Sequence, residues 1–378
     1  MTTVHGTEAS EGRLGAVLRA TGLDQPTRLG RFGPWLVTTA EHAKSVLTDP
    51  ERFDFPGDVS RQAVDELRET ESPQRSPHTI TPRVTPEQVG SGRAVFEREW
   101  ASVTADLDGR DADAMQLLRQ PVARSTTAAL LPHLSCAAQQ EVADLTLSWV
   151  DALGPVIASR FGAGRFTRAR RRETAAREAL EAALRSHGDD DPARMATVLA
   201  AGIQVPIAAG AWLLVELGSD EDMLNDVRDN PRLVSGVVWE TLRLCPPTWI
   251  TARIAREAVV IGAAAVRPGE LVLVSPLHLG RSESLVPNNH PLGDFAPRRW
   301  DQERVRPGAW LPFGAGPHMC PGRNLGIAQL TCLAEWGLRW RMSIRTRVKV
   351  DQSRGIFPNP AVLHFAQIAD SQPDSNGS

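Results

Sequence analysis

Phe313-Gly314-Ala315-Gly316-Pro317-His318-Met319-Cys320-Pro321-Gly322-Arg323 is the stretch on which the fold turns. Glycine and proline at five of these positions prevent a regular helix or strand, so a tight irregular loop is expected, one whose backbone can approach a flat ligand closely. Good helix formers follow at once, and a helix is expected over residues 324–340. Cys320 then stands just before a helix N-terminus, where the dipole and free N–H groups favour a thiolate over a thiol. A buried structural cysteine is the alternative that these residues alone leave open.

The spacing Phe313-x-x-Gly316-x-x-x-Cys320-x-Gly322 resembles the haem-binding signature of the cytochrome P-450 family. The resemblance implies that Cys320 is the axial ligand of iron in haem b, iron protoporphyrin IX. It implies that Phe313 packs beside the sulfur, that Gly316 and Gly322 admit backbone donors to it, and that His318 meets a haem propionate.

Working upstream, Glu240-Thr241-Leu242-Arg243 places a carboxylate and a guanidinium on one face of an expected helix near residues 231–244. An isolated pair of this kind is ordinarily a solvated surface contact. Here Pro246-Pro247 ends the helix, and Phe295-Ala296-Pro297-Arg298-Arg299-Trp300 follows later, both similar to the same family. The resemblance implies a buried structural triad of Glu240, Arg243 and Arg299. It also makes Arg253 a second propionate partner. Ser76-Pro77-His78-Thr79-Ile80-Thr81-Pro82-Arg83 is an approximate match to a third, with the arginine one position late and a proline where a helix should continue. His78 and Arg83 are thus candidates, with a free surface His and Arg as the alternative.

Residues 193–217 are mostly apolar and read as a long helix buried in the middle of the protein. The resemblance makes it the helix that crosses the haem, where relatives that cleave dioxygen carry an acid–alcohol pair. This chain has Ala201-Gly202-Ile203-Gln204-Val205-Pro206. Gln204 and Val205 take the catalytic positions, but the amide does not titrate and valine has no hydroxyl. Pro206 removes one backbone N–H and is expected to kink the helix.

Around these motifs, residues 86–217 read as almost continuous helix, with apolar spacing over 140–153 and strong helix formers over 173–187. Residues 31–39 read as a strand, 40–47 and 64–71 as helices, and 259–261 and 271–274 as short strands around a Pro268-Gly269 turn. Residues 278–313 read as irregular, and 342–350 and 361–365 as closing strands. The expected fold is mainly α with small peripheral β-sheets, the cytochrome P-450 fold. It comprises a disordered tail (1–12), one haem-binding domain (13–369) and a second disordered tail (370–378).

Composition agrees with a globular chain. Among 378 residues the 42 basic and 45 acidic side chains leave a net charge of −3, which removes a bulk electrostatic case for nucleic acid. No membrane crossing and no signal peptide are expected, which places the protein in the cytoplasm, as a monomer. Absence of tyrosine excludes a tyrosyl radical. The four cysteines form no C-x-x-C pair, and Cys245 and Cys332 read as small buried hydrophobes. The basic run Arg168–Arg172 reads as a solvated face, with an acidic substrate as the minor alternative.

Three functions follow from the resemblance. The first is oxidation of a small, largely apolar molecule by hydroxylation, epoxidation or oxidative coupling in biosynthetic metabolism. It uses O2 and electrons from ferredoxin with its reductase, or from another flavoprotein. The second is haem-thiolate chemistry without the usual proton relay: peroxide-driven oxidation, rearrangement or dehydration. The third is a non-catalytic haem protein. Substrate contacts are expected from residues 248–251, Ala201 and Ile203, the 56–72 loop and the turn at Phe357-Pro358.

Overall fold

The computed structural model describes residues 12–56, 81–157, 164, 166–301, 308–351 and 355–368. Helix α1 (Gly12–Leu18) leads to strands β1 (Thr27–Arg28) and β2 (Trp35–Val37), helix α2 (Ala40–Leu47) and strand β3 (Phe53–Asp54). The helical half follows as α3 (Pro86–Val103), strand β4 (Arg110–Asp113), α4 (Ala114–Leu130), α5 (Cys136–Ile157), α6 (Arg168–Ser186) and α7 (Pro192–Leu217). Then come α8 (Glu221–Asp229), α9 (Val234–Leu244), β5 (Thr251–Ala255), β6 (Val259–Ile261), β7 (Ala264–Val266), β8 (Leu271–Val274) and α10 (Pro276–Leu279). Helix α11 (Arg323–Gly337) and strands β9 (Trp340–Ile344), β10 (Val350–Asp351), β11 (Phe357–Pro358) and β12 (Val362–Gln367) close the chain.

Helix α7 organises the core. Asp191 caps it by accepting from the Arg194 N–H, and Pro192 sits in its first turn, where no N–H is needed. Helices α4, α5, α6, α9 and α11 all pack on it, which is why its sequence is apolar nearly all round. Trp212, 1% exposed, donates its indole N–H to the Ile356 carbonyl at 3.0 Å and ties the helix to the segment before β11. The N-terminal turns of α7 belong to a second cluster, with Trp149 and Val150 of α5 and Leu180 and Leu184 of α6. There Glu173, fully buried, accepts from the Trp149 indole at 2.9 Å and from Arg170 at 3.2 Å, a polar tie that no sequence pattern announced.

By length and composition α7 is apolar enough to cross a bilayer, contrary to the expectation that no segment is; in this structure 67% of its apolar window is buried inside the protein.

The peripheral sheets are small. A five-stranded sheet runs β1-β2-β8-β5-β3, with β2 and β8 parallel and the other pairs antiparallel; Arg253 pairs with Val272 and Phe53 with Ala255. A three-stranded sheet runs β4-β12-β9, and β6-β7 and β10-β11 are hairpins.

Several sequence expectations shift. The strand expected over 31–39 shrinks to Trp35–Val37, because Gly30 takes a left-handed φ of 78° and Leu29 closes a turn onto the Pro34 carbonyl. Strands β6 and β8 form, but β6 turns back at Gly262 to pair with β7; the Pro268-Gly269 turn joins β7 to β8 instead. The four-residue helix α10 and a 3-10 turn over Pro297–Trp300 punctuate the stretch read as irregular. Helix α11 ends at Gly337, packed close to Leu217, and Trp340 instead opens β9, where it pairs with Gln367 of β12. The expected tails, apart from Gly12, and the 64–71 helix lie outside the described residues.

Candidate functional site

Cys320 sits in the loop that enters α11. Its backbone N–H donates to the Phe313 carbonyl at 2.9 Å, and Met319 donates to Gly316 at 3.1 Å, folding residues 313–320 into a closed lariat. Gly314 and Gly316 carry φ of 72° and 71°, a region glycine enters without strain. At Gly316 a Cβ would also lie 2.5 Å from the Leu47 carbonyl oxygen, so the loop presses directly on the end of α2. Gly314 and Gly322 differ: a Cβ on either meets nothing within 4 Å, so the backbone at each is open. The Val84 N–H donates to the Pro321 carbonyl at 3.1 Å, bringing exposed Arg83 close to the cysteine loop.

Burial pushes the Cys320 thiol up, outweighing the Gly322 N–H and the Arg323 cation, which pull it down. The helix start favours the thiolate, as its position in the sequence implies, and desolvation of the sulfur opposes it in the protein alone. A cation close to the sulfur is what would reverse the balance. Phe313 stands edge-on to Trp239 at 6.4 Å, and the Arg323 guanidinium lies 5.6 Å from its ring.

Arg253 and His318 come together around Phe55, which the sequence reading missed. The Arg253 guanidinium covers the Phe55 ring at 4.0 Å, and the His318 imidazole meets that ring edge-on at 5.0 Å. Arg253 is 4% exposed, bonded to the Thr251 hydroxyl and the Ala252 carbonyl. Burial pulls its pKa down to about 10, with Asp54 acting in the opposite sense. His78 lies outside the described residues.

Behind the loop, Glu240, Arg243 and Arg299 are all fully buried. Arg243 grips both oxygens of Glu240 through Nε and Nη2, and Arg299 Nε reaches Oε1 at 3.0 Å. Remaining guanidinium protons go to carbonyls of the irregular segment: Arg243 to Gly280, Leu292 and Asp294, Arg299 to Pro287, His290 and Pro291. The Ala296 N–H and the Trp300 indole also donate to Glu240. One carboxylate and two cations thus hold a segment with little regular structure. Trp300, adjacent to Arg299 in the quoted motif, is the fourth participant that pattern reading passed over.

On α7, Ala201 is exposed and Gln204, Val205 and Pro206 are half-buried, although the next three turns are almost wholly enclosed. Ile203, expected at the ligand face, is 0% exposed and packs in the main core instead, because its position falls on the opposite side of the helix. Phe357 likewise packs in the interior at 2% exposure. Thr248 is exposed and Ile250 half-buried. Of the basic run, Arg168, Arg171 and Arg172 are exposed, and Arg170 turns inward to Glu173.

The donor chemistry bears on what the cysteine can hold. Among the described residues no group of three His, Cys, Asp or Glu side chains gathers at metal-ligand distance. Cys245 and Cys332 are buried and bond instead to the carboxylates of Glu216 and Glu97. A single sulfur therefore suits a metal that brings its other ligands with it. Haem meets that condition: the open backbone at Gly314 and Gly322 leaves room for a ligand, and the buried Arg253 cation suits its carboxylates.

A family model described as cytochrome P450 matches residues 215–349, the segment holding both the buried ion network and the Cys320 loop. Cyclooctat-9-en-7-ol 5-monooxygenase of Streptomyces melanosporofaciens is 36% identical over 111 residues, covering 28% of this chain and 24% of that protein. Sterol 14alpha-demethylase of Mycobacterium tuberculosis is 29% identical over 171 residues, 39% of this chain and 37% of that one. The chain thus spans about a quarter to just over a third of the length of these curated relatives. A crystal structure of a cytochrome P-450 from Thermus thermophilus superposes with a TM-score of 0.72 at 21% identity, covering 96% of this chain and 97% of that one. The open form of a cytochrome P-450 from S. erythraea gives 0.69 at 18% identity, covering 96% of each. The chain therefore has the cytochrome P-450 fold over nearly its whole length, and the segment that holds the cysteine loop matches the cytochrome P450 family model, a family whose cofactor is a haem-thiolate.

Proposed function

We propose that this protein is a haem-thiolate monooxygenase that oxidises a small, largely apolar organic molecule in biosynthetic metabolism, with Cys320 as the axial ligand. The seat of Cys320 carries this reading: one half-buried sulfur, without companion ligands among the described residues, on a glycine loop with open space at Gly314 and Gly322 and latched by the Phe313 carbonyl. A thiolate-bound haem supplies reductive activation of dioxygen.

The remaining tasks fall to the chain. Arg253 and His318 hold the two propionates, Arg253 gaining an anionic partner for a buried cation. Arg83 is a further cation at the edge of the site. Phe313 shields the sulfur from water, while Gly316 and Gly322 let the backbone approach it. Glu240, Arg243 and Arg299 keep the segment leading to the loop from spreading. Ala201, Thr248 and Ile250 offer a mostly apolar surface to substrate. Electrons come from a separate ferredoxin with its reductase, or a flavoprotein, and the protein works as a cytoplasmic monomer.

The reduced carbon monoxide complex tests the ligand. A strongly red-shifted Soret band is expected for the wild type and its loss in Cys320→Ala; a wild-type complex without the shift overturns the assignment.

A second reading has its own support. The half-buried turn of α7 presents Gln204 and Val205, with no carboxyl or hydroxyl to pass protons. Peroxide-driven oxidation, rearrangement or dehydration would need no such relay. Product formation without reductant favours this second reading, whereas coupled consumption of NAD(P)H and oxygen favours the first.

A further inference from the structure

Pro206 lies inside α7 and has no N–H, so the Gly202 carbonyl four residues earlier loses its helical donor. A half-buried carbonyl facing a neighbouring helix still needs a partner, and the question is where its hydrogen bond goes. The answer comes from another helix. Thr126 of α4, 1% exposed, places its hydroxyl 3.3 Å from the Gly202 oxygen.

The direction of this bond follows from its neighbours. Gln329 of α11, 2% exposed, donates its amide to the Ser125 hydroxyl at 2.9 Å and the Thr126 hydroxyl at 3.4 Å. Ser125 spends its own proton on the Gly92 carbonyl of α3 at 2.7 Å. Both hydroxyl oxygens are therefore accepting from Gln329, which must turn its NH2 toward them, and the single Thr126 proton is left for Gly202. Gln329 meets this demand while its own Oε1 has no partner. Glycine at 202 completes the fit, since a Cβ there would sit 3.1 Å from the Thr126 methyl.

We infer that Thr126 is a positioning residue for the catalytic turn of α7: by taking the carbonyl that Pro206 orphans, it sets the backbone and polarity that the 201–206 turn presents to bound ligand. The inference rests on the proposed function, because it assigns that turn to the ligand side. Thr126 itself is buried behind the helix and touches no reactant. Its hydroxyl acts through the Gly202 carbonyl. If Thr126 lost its hydroxyl, the carbonyl would have to find a partner among water or ligand on the half-buried face beside Gln204 and Val205.

A double-mutant cycle on the holoprotein tests this, with Thr126→Val, Thr126→Ser, Pro206→Ala and Thr126→Val combined with Pro206→Ala. The readout is the C–O stretching band of the reduced carbon monoxide complex, which responds to lone pairs near the bound oxygen. Thr126→Val is expected to move the band to higher frequency, and Thr126→Ser to leave it in place. In the Pro206→Ala background the restored N–H satisfies Gly202, so adding Thr126→Val should no longer move the band. Urea unfolding should show the same coupling, with Thr126→Val lowering the folding equilibrium constant about 5-fold only when Pro206 is present. A role in packing alone would give the same loss in both backgrounds and an unmoved C–O band, and either result overturns the inference. A wild-type complex without a red-shifted Soret band would overturn the proposed function; a normal Soret band with no Thr126–Pro206 coupling would overturn this inference alone.

Discussion

Gly316 shows how much one residue can constrain the site. Its φ of 71° and the 2.5 Å separation of an added Cβ from the Leu47 oxygen act together: any side chain meets both backbone strain and a clash with backbone that cannot rotate away. Gly316→Ala is expected to cost about 1–3 kcal/mol from the backbone conformation before the clash is counted, measured as a lower urea midpoint. Gly322, whose Cβ would meet nothing within 4 Å, should accept alanine in the apoprotein without that loss and reveal its effect only in haem binding. At Arg253 the charge matters more than the shape. Arg253→Ala removes a buried cation and should weaken haem retention, read as loss of haem to a competing apoprotein, with Arg253→Lys restoring part of it.

At the scale of elements, α9 is held to the irregular segment by Glu240. That carboxylate accepts from Arg243, Arg299, Ala296 and Trp300, and its removal would strand two guanidiniums with no exposure to water. Glu240→Gln is expected to destabilise by about 3–5 kcal/mol, or to prevent accumulation of folded protein, in denaturant titration. Gly236, on the same helix, lets α9 approach the 3-10 turn, since a Cβ would sit 2.3 Å from the Pro297 oxygen.

Glu216 at the end of α7 gives the α7–α9 contact a pH dependence. Burial raises its pKa to about 7, with the Cys245 hydrogen bond opposing and the charge of Glu240 reinforcing the shift. A carboxyl whose folded-state pKa lies above its unfolded value stabilises the fold fully below the unfolded value. That stability is lost as pH rises through about 7. Wild-type stability should therefore fall between about pH 5 and pH 8, by at most ~3 kcal/mol from this group, and Glu216→Gln should flatten that slope in urea titrations at successive pH values.

Across the whole molecule, the proposed cofactor binds among the α2–β3 region, β5, α7 and the α11 loop, which are far apart in sequence and share one core. Ligand binding to such an assembled site stabilises the fold by mass action, about 2.7 kcal/mol at a free haem concentration of 100 times Kd. Reconstitution with haem should raise the melting temperature of the wild type in a concentration-dependent way, and Cys320→Ala should show a smaller rise, measured by calorimetry.

Much of this organisation was legible in the chain. The glycines, prolines and cysteine of residues 313–323 pointed to the loop, Asp49-Pro50 bounded α2, and apolar spacing and strong helix formers located the long helices, because backbone preference and one-sided burial act within a few residues. Glu240, Arg243, Arg299, Arg253 and His318 were legible only through motif resemblance. Their meeting depends on contacts across 40 or more residues in the case of Glu240 with Arg299, whose separation is 59. Other features left no local trace. Phe55 between Arg253 and His318, Glu173 beneath Trp149, and the inward face of Ile203 depend on which helix or strand lies opposite. The thiol of Cys320 makes the same point: its place before a helix start was written in the sequence and favours ionisation, but burial, a property of the assembled protein, pushes it the other way. Pro206 shows the division most clearly. The sequence alone determined that Gly202 would lack a helical donor, since proline has no N–H; only the tertiary structure decided that Thr126, 76 residues away on α4, would supply the missing proton, because hydrogen bonds between helices are set by packing in space and not by order along the chain.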